Sequence, residues 1–159
     1  MGVLYGAVAA YKIMARQDFG HIVNISSLSG LIPFPTNIPY STTKYAIVGL
    51  SVGLRTEGEA LGVKVSAVCP GFVESNIYTA SEAVNVSKED LMEIFPFRKV
   101  PVHDAAKNIL RGIERNDAII VFPGYAKFIW LLHRLSARLI ARTNRQFIMD
   151  FRKLRTRDN

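Results

Sequence analysis

Apolar residues recur at helical intervals from Val3 to Arg16 (VLYGAVAAYKIMAR), predicting a helix that ends near Asp18–Gly20. The short β-branched run His21–Ser27 (HIVNISS) reads as a buried strand. Gly30, Pro33, Pro35 and Pro39 make Leu28–Pro39 a loop. A second helix is predicted from about Pro39 to Leu61, with Pro39 in its first turn, Asn37 as a cap and Gly62 at its close. Gly49 and Gly53, one turn apart, are expected to admit another backbone against one face of that helix. Lys64–Cys69 (KVSAVC) is a second buried strand, broken by Pro70–Gly71. The pattern from 72 to 101 is mixed, with short helices expected near Ala80–Ala83 and over Lys88–Phe95. His103–Arg115 reads as a helix, Ala118–Phe122 as a third strand, and Ala126–Ala141 as a strongly apolar fourth helix. Thr143–Asn159 is polar, basic and without a predicted element. This helix–strand alternation defines an α/β fold with parallel strands joined by right-handed crossovers.

Composition narrows the function classes. A chain of 159 residues is the size of one domain, and 49% hydrophobic with 21% charged residues suits a globular core. The single cysteine, Cys69, excludes an internal disulfide, and three isolated histidines offer no metal-ligand spacing, so no metal is expected. The net charge of +7 is unevenly spread. Residues 1–97 carry 6 Lys/Arg against 8 Asp/Glu, whereas residues 98–159 carry 14 against 5. No nucleic-acid motif accompanies the basic tail, and nucleic acid is not expected as a partner. The N-terminus lacks a charged n-region, Gly2 fails the myristoylation pattern at Gly6, and no run of eighteen apolar residues occurs, so a cytoplasmic protein is expected. Phe128, Trp130, Leu131, Leu132, Leu135, Leu139 and Ile140 share their segment with Arg134, Arg138 and Arg142, the composition of a helix that could lie at a membrane surface. The plainer alternative is a helix packed on the domain or on a second subunit.

Tyr40 and Lys44, at i and i+4, project from one helix face. An ammonium near a phenol favours the phenolate, which makes Tyr40 a candidate general acid/base. Composition alone yields such a pair by chance roughly 0.3 times in a chain like this, so its context matters. Ser27 lies thirteen residues earlier, at the carboxyl end of a predicted strand, where open α/β sheets place ligands. Serines at such positions also serve simply as caps or turn formers.

HIVNISSLSG, YSTTK and VSAVCPGFVES, in this order and spacing, resemble the short-chain dehydrogenase/reductase family over about residues 2–75. The resemblance implies a partial Rossmann-like, doubly wound parallel sheet of about three strands over residues 1–124, followed by a basic amphipathic helical tail over 125–159. It implies NAD or NADP as cofactor and interconversion of an alcohol and a carbonyl. Ser27 would bond the substrate oxygen, Tyr40 would give or take its proton, and Lys44 would bind the nicotinamide ribose. Pro70, Gly71 and Val73 would line the nicotinamide, and Ser75 would contact its carboxamide. Ile77, Tyr78, Leu91, Met92, Ile94 and Phe95 fall in the family's substrate lid and suggest an apolar substrate, with core packing as the equal alternative; a homo-oligomer is also expected. The family's glycine-rich phosphate turn, its Asn-Asn-Ala-Gly segment and its catalytic asparagine find no counterpart in these 159 residues. The chain is accordingly expected to correspond to the carboxyl-terminal three-fifths of a member, to leave the HIVNIS strand with an unpaired edge, and to bind dinucleotide weakly by itself. The alternative function is a catalytically inactive interaction or membrane-surface module.

Overall fold

The computed structural model describes residues 1–75 and 98–155. The expected short helices near Ala80–Ala83 and Lys88–Phe95, and the apolar lid residues Ile77, Tyr78, Leu91, Met92, Ile94 and Phe95, lie outside the described residues.

Three parallel strands form one sheet in the order β1 (Gly20–Ile25), β2 (Val63–Pro70), β3 (Ile119–Phe122). Ile22 pairs with Val65, Ala67 with Ile119, and Cys69 with Val121. The helices are α1 (Gly2–Arg16), α2 (Ile38–Gly58), α3 (Val102–Glu114), α4 (Gly124–Leu135) and α5 (Ala137–Arg155). The Rossmann-like α/β expectation therefore holds.

Alternation along β2 divides the core between the two faces of the sheet. Val63 and Val65, with Ile22, pack under α1 and the end of α2, whereas Ala67 and Cys69, with Val121, pack under Ala126 and Ile140 from α4 and α5. Val68, Ile120 and Phe122 point the other way and pack against Ala105 of α3. Burial on both faces explains why β2 is a nearly unbroken apolar run. Its one fully buried hydroxyl, on Ser66, donates to Asp117 O at 2.6 Å and lies 2.8 Å from His21 Nε2. Among the described residues β1 pairs only with β2, so its outer edge is unpaired as expected.

Several local expectations shift. The first strand ends at Ile25, and Ser26 only continues the ladder through its N–H to Val68 O at 2.8 Å. The second helix stops at Gly58 and tightens into a 3-10 turn, Glu59–Leu61, before Gly62 in the left-handed conformation. Asn37 occupies the cap position without a side-chain capping bond. Gly49 and Gly53 face open space, so among the described residues no backbone approaches them. The largest differences lie at the C-terminus. The expected single helix over Ala126–Ala141 is broken at Ser136, which is extended, and the basic segment beyond Ala141 is helical as far as Arg155. α5 is held by tertiary contacts: Ile140 is buried, Phe147 packs on Phe34 at 5.5 Å between ring centroids, and Asn144 Nδ2 donates to Pro33 O at 3.0 Å.

Candidate active site

Because the three strands are parallel, their carboxyl ends meet at one edge: Ser26–Ser27 after β1, Pro70–Gly71 at the end of β2, and Pro123 after β3. Crevices at this edge are where open α/β sheets bind ligands. The 3-10 turn Leu28–Gly30 and the first turns of α2 carry the candidate groups into this region.

The link between β1 and α2 is built from polar contacts. Ser26 Oγ donates to Lys44 O at 2.8 Å, and the position of a Cβ on Gly30 is filled by Ser26 Oγ and Lys44 O, at 2.5 and 2.6 Å. Gly30 therefore allows the turn to lie directly against the helix backbone at Lys44. Lys44 Nζ reaches back to donate to Ile25 O at 3.2 Å and stands 5.5 Å from the centroid of the Tyr40 ring. Partial burial holds the Lys44 ammonium below its usual pKa, opposed by the nearby Cys69 sulfur. Tyr40 is exposed. Ser27 is extended, and its Oγ accepts from Ser29 N at 3.2 Å, capping the turn while leaving its O–H available to donate. Among the described residues no hydrogen bond joins Ser27 to Tyr40.

The segment after β2 is shaped by a residue that sequence reasoning missed, Tyr125. Its hydroxyl accepts from Phe72 N at 2.9 Å and would lie 2.6 Å from a Cβ on Gly71. Gly71 N also donates to Phe122 O at 2.8 Å, and Val73 bridges Val100. Pro70, Gly71 and Val73 are thus strapped across the carboxyl ends of β2 and β3, whereas Ser75 is exposed. Burial pushes the Tyr125 phenol above its usual pKa, the Phe72 N–H acting the other way. Ser26 and Gly30 were equally unassigned; only the nearby Ser27 and the loop glycine pattern pointed toward them.

Beneath the site Cys69 is fully buried, and desolvation pushes its thiol up to about 12, against the Ser26 hydroxyl, the Ser27 N–H and the Lys44 charge. A buried thiol of this kind is structural and not nucleophilic. Two clefts open among the described residues. One of about 440 Å³ runs along Arg98–Pro101 and Tyr125, and one of about 230 Å³ lies at the β3 edge between α3 and α4; neither is lined by Ser27, Tyr40 or Lys44. No group of His, Cys, Asp or Glu able to hold a metal occurs among the described residues.

Three parallel strands with flanking helices, and with Ser27, Tyr40 and Lys44 in the segments that follow the carboxyl end of β1, make this an α/β domain of the Rossmann-like class. The profile of a family described as short chain dehydrogenase matches residues 1–85. An oxidoreductase of Bacillus subtilis (strain 168), YxjF, itself uncharacterized, is 33% identical over 96 residues, covering 57% of this chain and 37% of its own length. A Mycobacterium tuberculosis protein assigned as an oxidoreductase, SadH, is 32% identical over 139 residues, 84% of this chain and 50% of its own length. Among solved structures, a short-chain dehydrogenase of Sphingobium yanoikuyae in complex with NADPH superposes with a TM-score of 0.67 at 24% identity, over 91% of this chain and 51% of that one. A Burkholderia phymatum short-chain dehydrogenase/reductase in complex with NAD gives 0.71 at 23% identity, over 87% and 55%. The chain belongs to the short-chain dehydrogenase family of oxidoreductases. It spans about half the length, or less, of these relatives.

Proposed function

We propose that this chain carries the proton-transfer part of an NAD(P)-dependent oxidoreductase that interconverts an alcohol and a carbonyl. The observation that carries the reading is the placement of the Lys44 ammonium over the Tyr40 ring, at the carboxyl edge of the sheet beside Ser27. Ser27 donates its free O–H to the substrate oxygen. Tyr40, exposed and therefore accessible, accepts the alcohol proton at its hydroxyl oxygen during oxidation and returns it during reduction. The Lys44 ammonium stands 5.5 Å from the Tyr40 ring centroid, and its remaining N–H donors would hold the nicotinamide ribose.

Pro70, Gly71 and Val73 would line the nicotinamide, and the hydroxyl of Ser75 would contact its carboxamide. The strapping of Gly71–Phe72 by Tyr125 fits such a flat wall. When bound, the nicotinamide supplies the hydride acceptor or donor. These residues thus suit the nicotinamide end, while no glycine-rich strand-to-helix turn for the pyrophosphate occurs in these 159 residues. The cofactor is NAD or NADP, one solved neighbour carrying NADPH and another NAD. An apolar substrate is proposed from the side chains of the 76–97 segment.

The test is Tyr40→Phe. Alcohol-dependent reduction of NAD or NADP should fall about 10²–10⁴-fold with the fold unchanged. Wild-type turnover in that variant would remove Tyr40 from the mechanism. Titration of the 159 residues alone should show weak dinucleotide binding, and micromolar affinity would contradict that expectation. The alternative of an inactive interaction module is not favoured, because the relatives named above are oxidoreductases. A homo-oligomer is proposed through the exposed face of α2, where Tyr45 and Val52 flank the open Gly49 and Gly53. Sedimentation should then show a species above monomer mass that Gly53→Arg dissociates.

A further inference from the structure

We infer that α4 and α5 together dock this chain on an anionic membrane surface. Three large apolar side chains of α4 face outward, Phe128 at 61%, Leu131 at 51% and Leu135 at 74% exposure. Spaced at i, i+3 and i+7, they form one stripe. The opposite face of α4 is already used: Ala126 is fully buried in the core, and Ile129, Trp130 and Leu132 pack beside it. Among the described residues nothing covers the outer stripe.

Cations run alongside it. Lys127 and Arg134 are exposed on α4, as is Arg138 at the start of α5, and residues 124–155 hold eight Lys/Arg against one acidic residue, Asp150. The Arg134 guanidinium lies 5.3 Å from the centroid of the Trp130 ring, an amphipathic pairing suited to a headgroup layer. No helix among the described residues is long and apolar enough to cross a membrane. The geometry therefore belongs to a helix lying in the interface plane, apolar stripe inward and cations toward lipid phosphates. The same charges argue against a second copy as the occupant. A two-fold contact through this stripe would set Lys127, Arg134 and Arg138 of each chain near those of the other, and like charges across an interface are repulsive. Anionic lipid compensates them instead.

The docking element is not a loose appendage. Phe147 and Asn144 of α5 bind Phe34 and Pro33, in the loop between Ser27 and Tyr40, so the rest of the domain is carried to the surface with it.

The full chain is tested by flotation with vesicles of phosphatidylcholine alone and with about 30% phosphatidylglycerol added. Binding is expected only to the anionic vesicles and should weaken steeply with added salt. Lys127→Gln, Arg134→Gln and Arg138→Gln combined should weaken it on the order of 100-fold, since each cation near the surface is worth about fivefold. Phe128→Ser, Leu131→Ser and Leu135→Ser combined should abolish it while retaining the helical circular dichroism. If that variant does not fold, the glutamine variant alone decides. Equal binding to neutral and anionic vesicles, no binding to either, or an unchanged affinity in the glutamine variant would overturn the proposal. So would a chain that ignores vesicles but self-associates through the stripe, with the serine variant monomeric in sedimentation.

Discussion

Replacing Gly71 by alanine tests whether Tyr125 holds the segment after β2. The added methyl would lie 2.6 Å from Tyr125 Oη, 3.0 Å from Cζ and 3.2 Å from Cε2. Contact at 2.6 Å is too close for a methyl carbon, so the ring must move, and the 2.9 Å bond from Phe72 N to its hydroxyl is then stretched or lost. Overpacking of this kind costs about 1–3 kcal/mol and the hydrogen bond about 1 kcal/mol, for a total of roughly 2–4 kcal/mol. Tyr125→Phe removes the hydroxyl and its bond together, at about 1–2 kcal/mol. It also removes the nearest obstacle to the methyl. The double variant should therefore be more stable than the sum of the two losses predicts, by about 1–2 kcal/mol. Urea unfolding followed by fluorescence of Trp130, the single tryptophan, measures all three variants. A Gly71→Ala change below about 0.5 kcal/mol, or additivity of the two substitutions to within about 0.5 kcal/mol, would refute the reasoning.

Two further predictions concern buried groups near the same edge. The Cys69 thiol has its pKa raised from 9.0 to about 12 by burial, so its contribution to stability is full below about pH 9 and is lost as pH rises toward 12. Between pH 9 and 11 the wild type should lose about 1 kcal/mol per pH unit beyond any loss in Cys69→Ala, and equal slopes in urea titrations of the two would contradict this. In Ser51→Ala, the buried Asn24 amide loses the acceptor to which its Nδ2 donates at 3.0 Å, a cost of about 1–3 kcal/mol by thermal or urea unfolding. A loss under about 0.5 kcal/mol would show that the amide finds another partner.

What the sequence by itself determined is what local spacing encodes. Helical periodicity, β-branched runs and Gly/Pro stops specified an alternating α/β order whose three strands, and the helices before each of them, recur in the structure within a few residues. The i, i+4 spacing placed Lys44 beside Tyr40, because a helix turn alone brings them together. Parallel strands then put Ser27, Pro70 and Pro123 at one edge without any further information.

Tertiary structure decided the rest. Tyr125 meets Gly71 across more than fifty residues of chain, and no local pattern marks a phenol that will accept a bond from a distant backbone. Ser26 and Gly30 lock onto Lys44 O only once α2 has packed over β1. The C-terminal region makes the point most clearly. Its apolar and basic repeat runs straight through Ser136, so periodicity predicted one helix, and its polar continuation predicted none. The break lets Ile140 enter the core and Phe147 reach Phe34, and those contacts stabilise a helix that its own composition would not have announced. A helix of this kind draws its stability from the face it buries, and that face exists only in the folded chain.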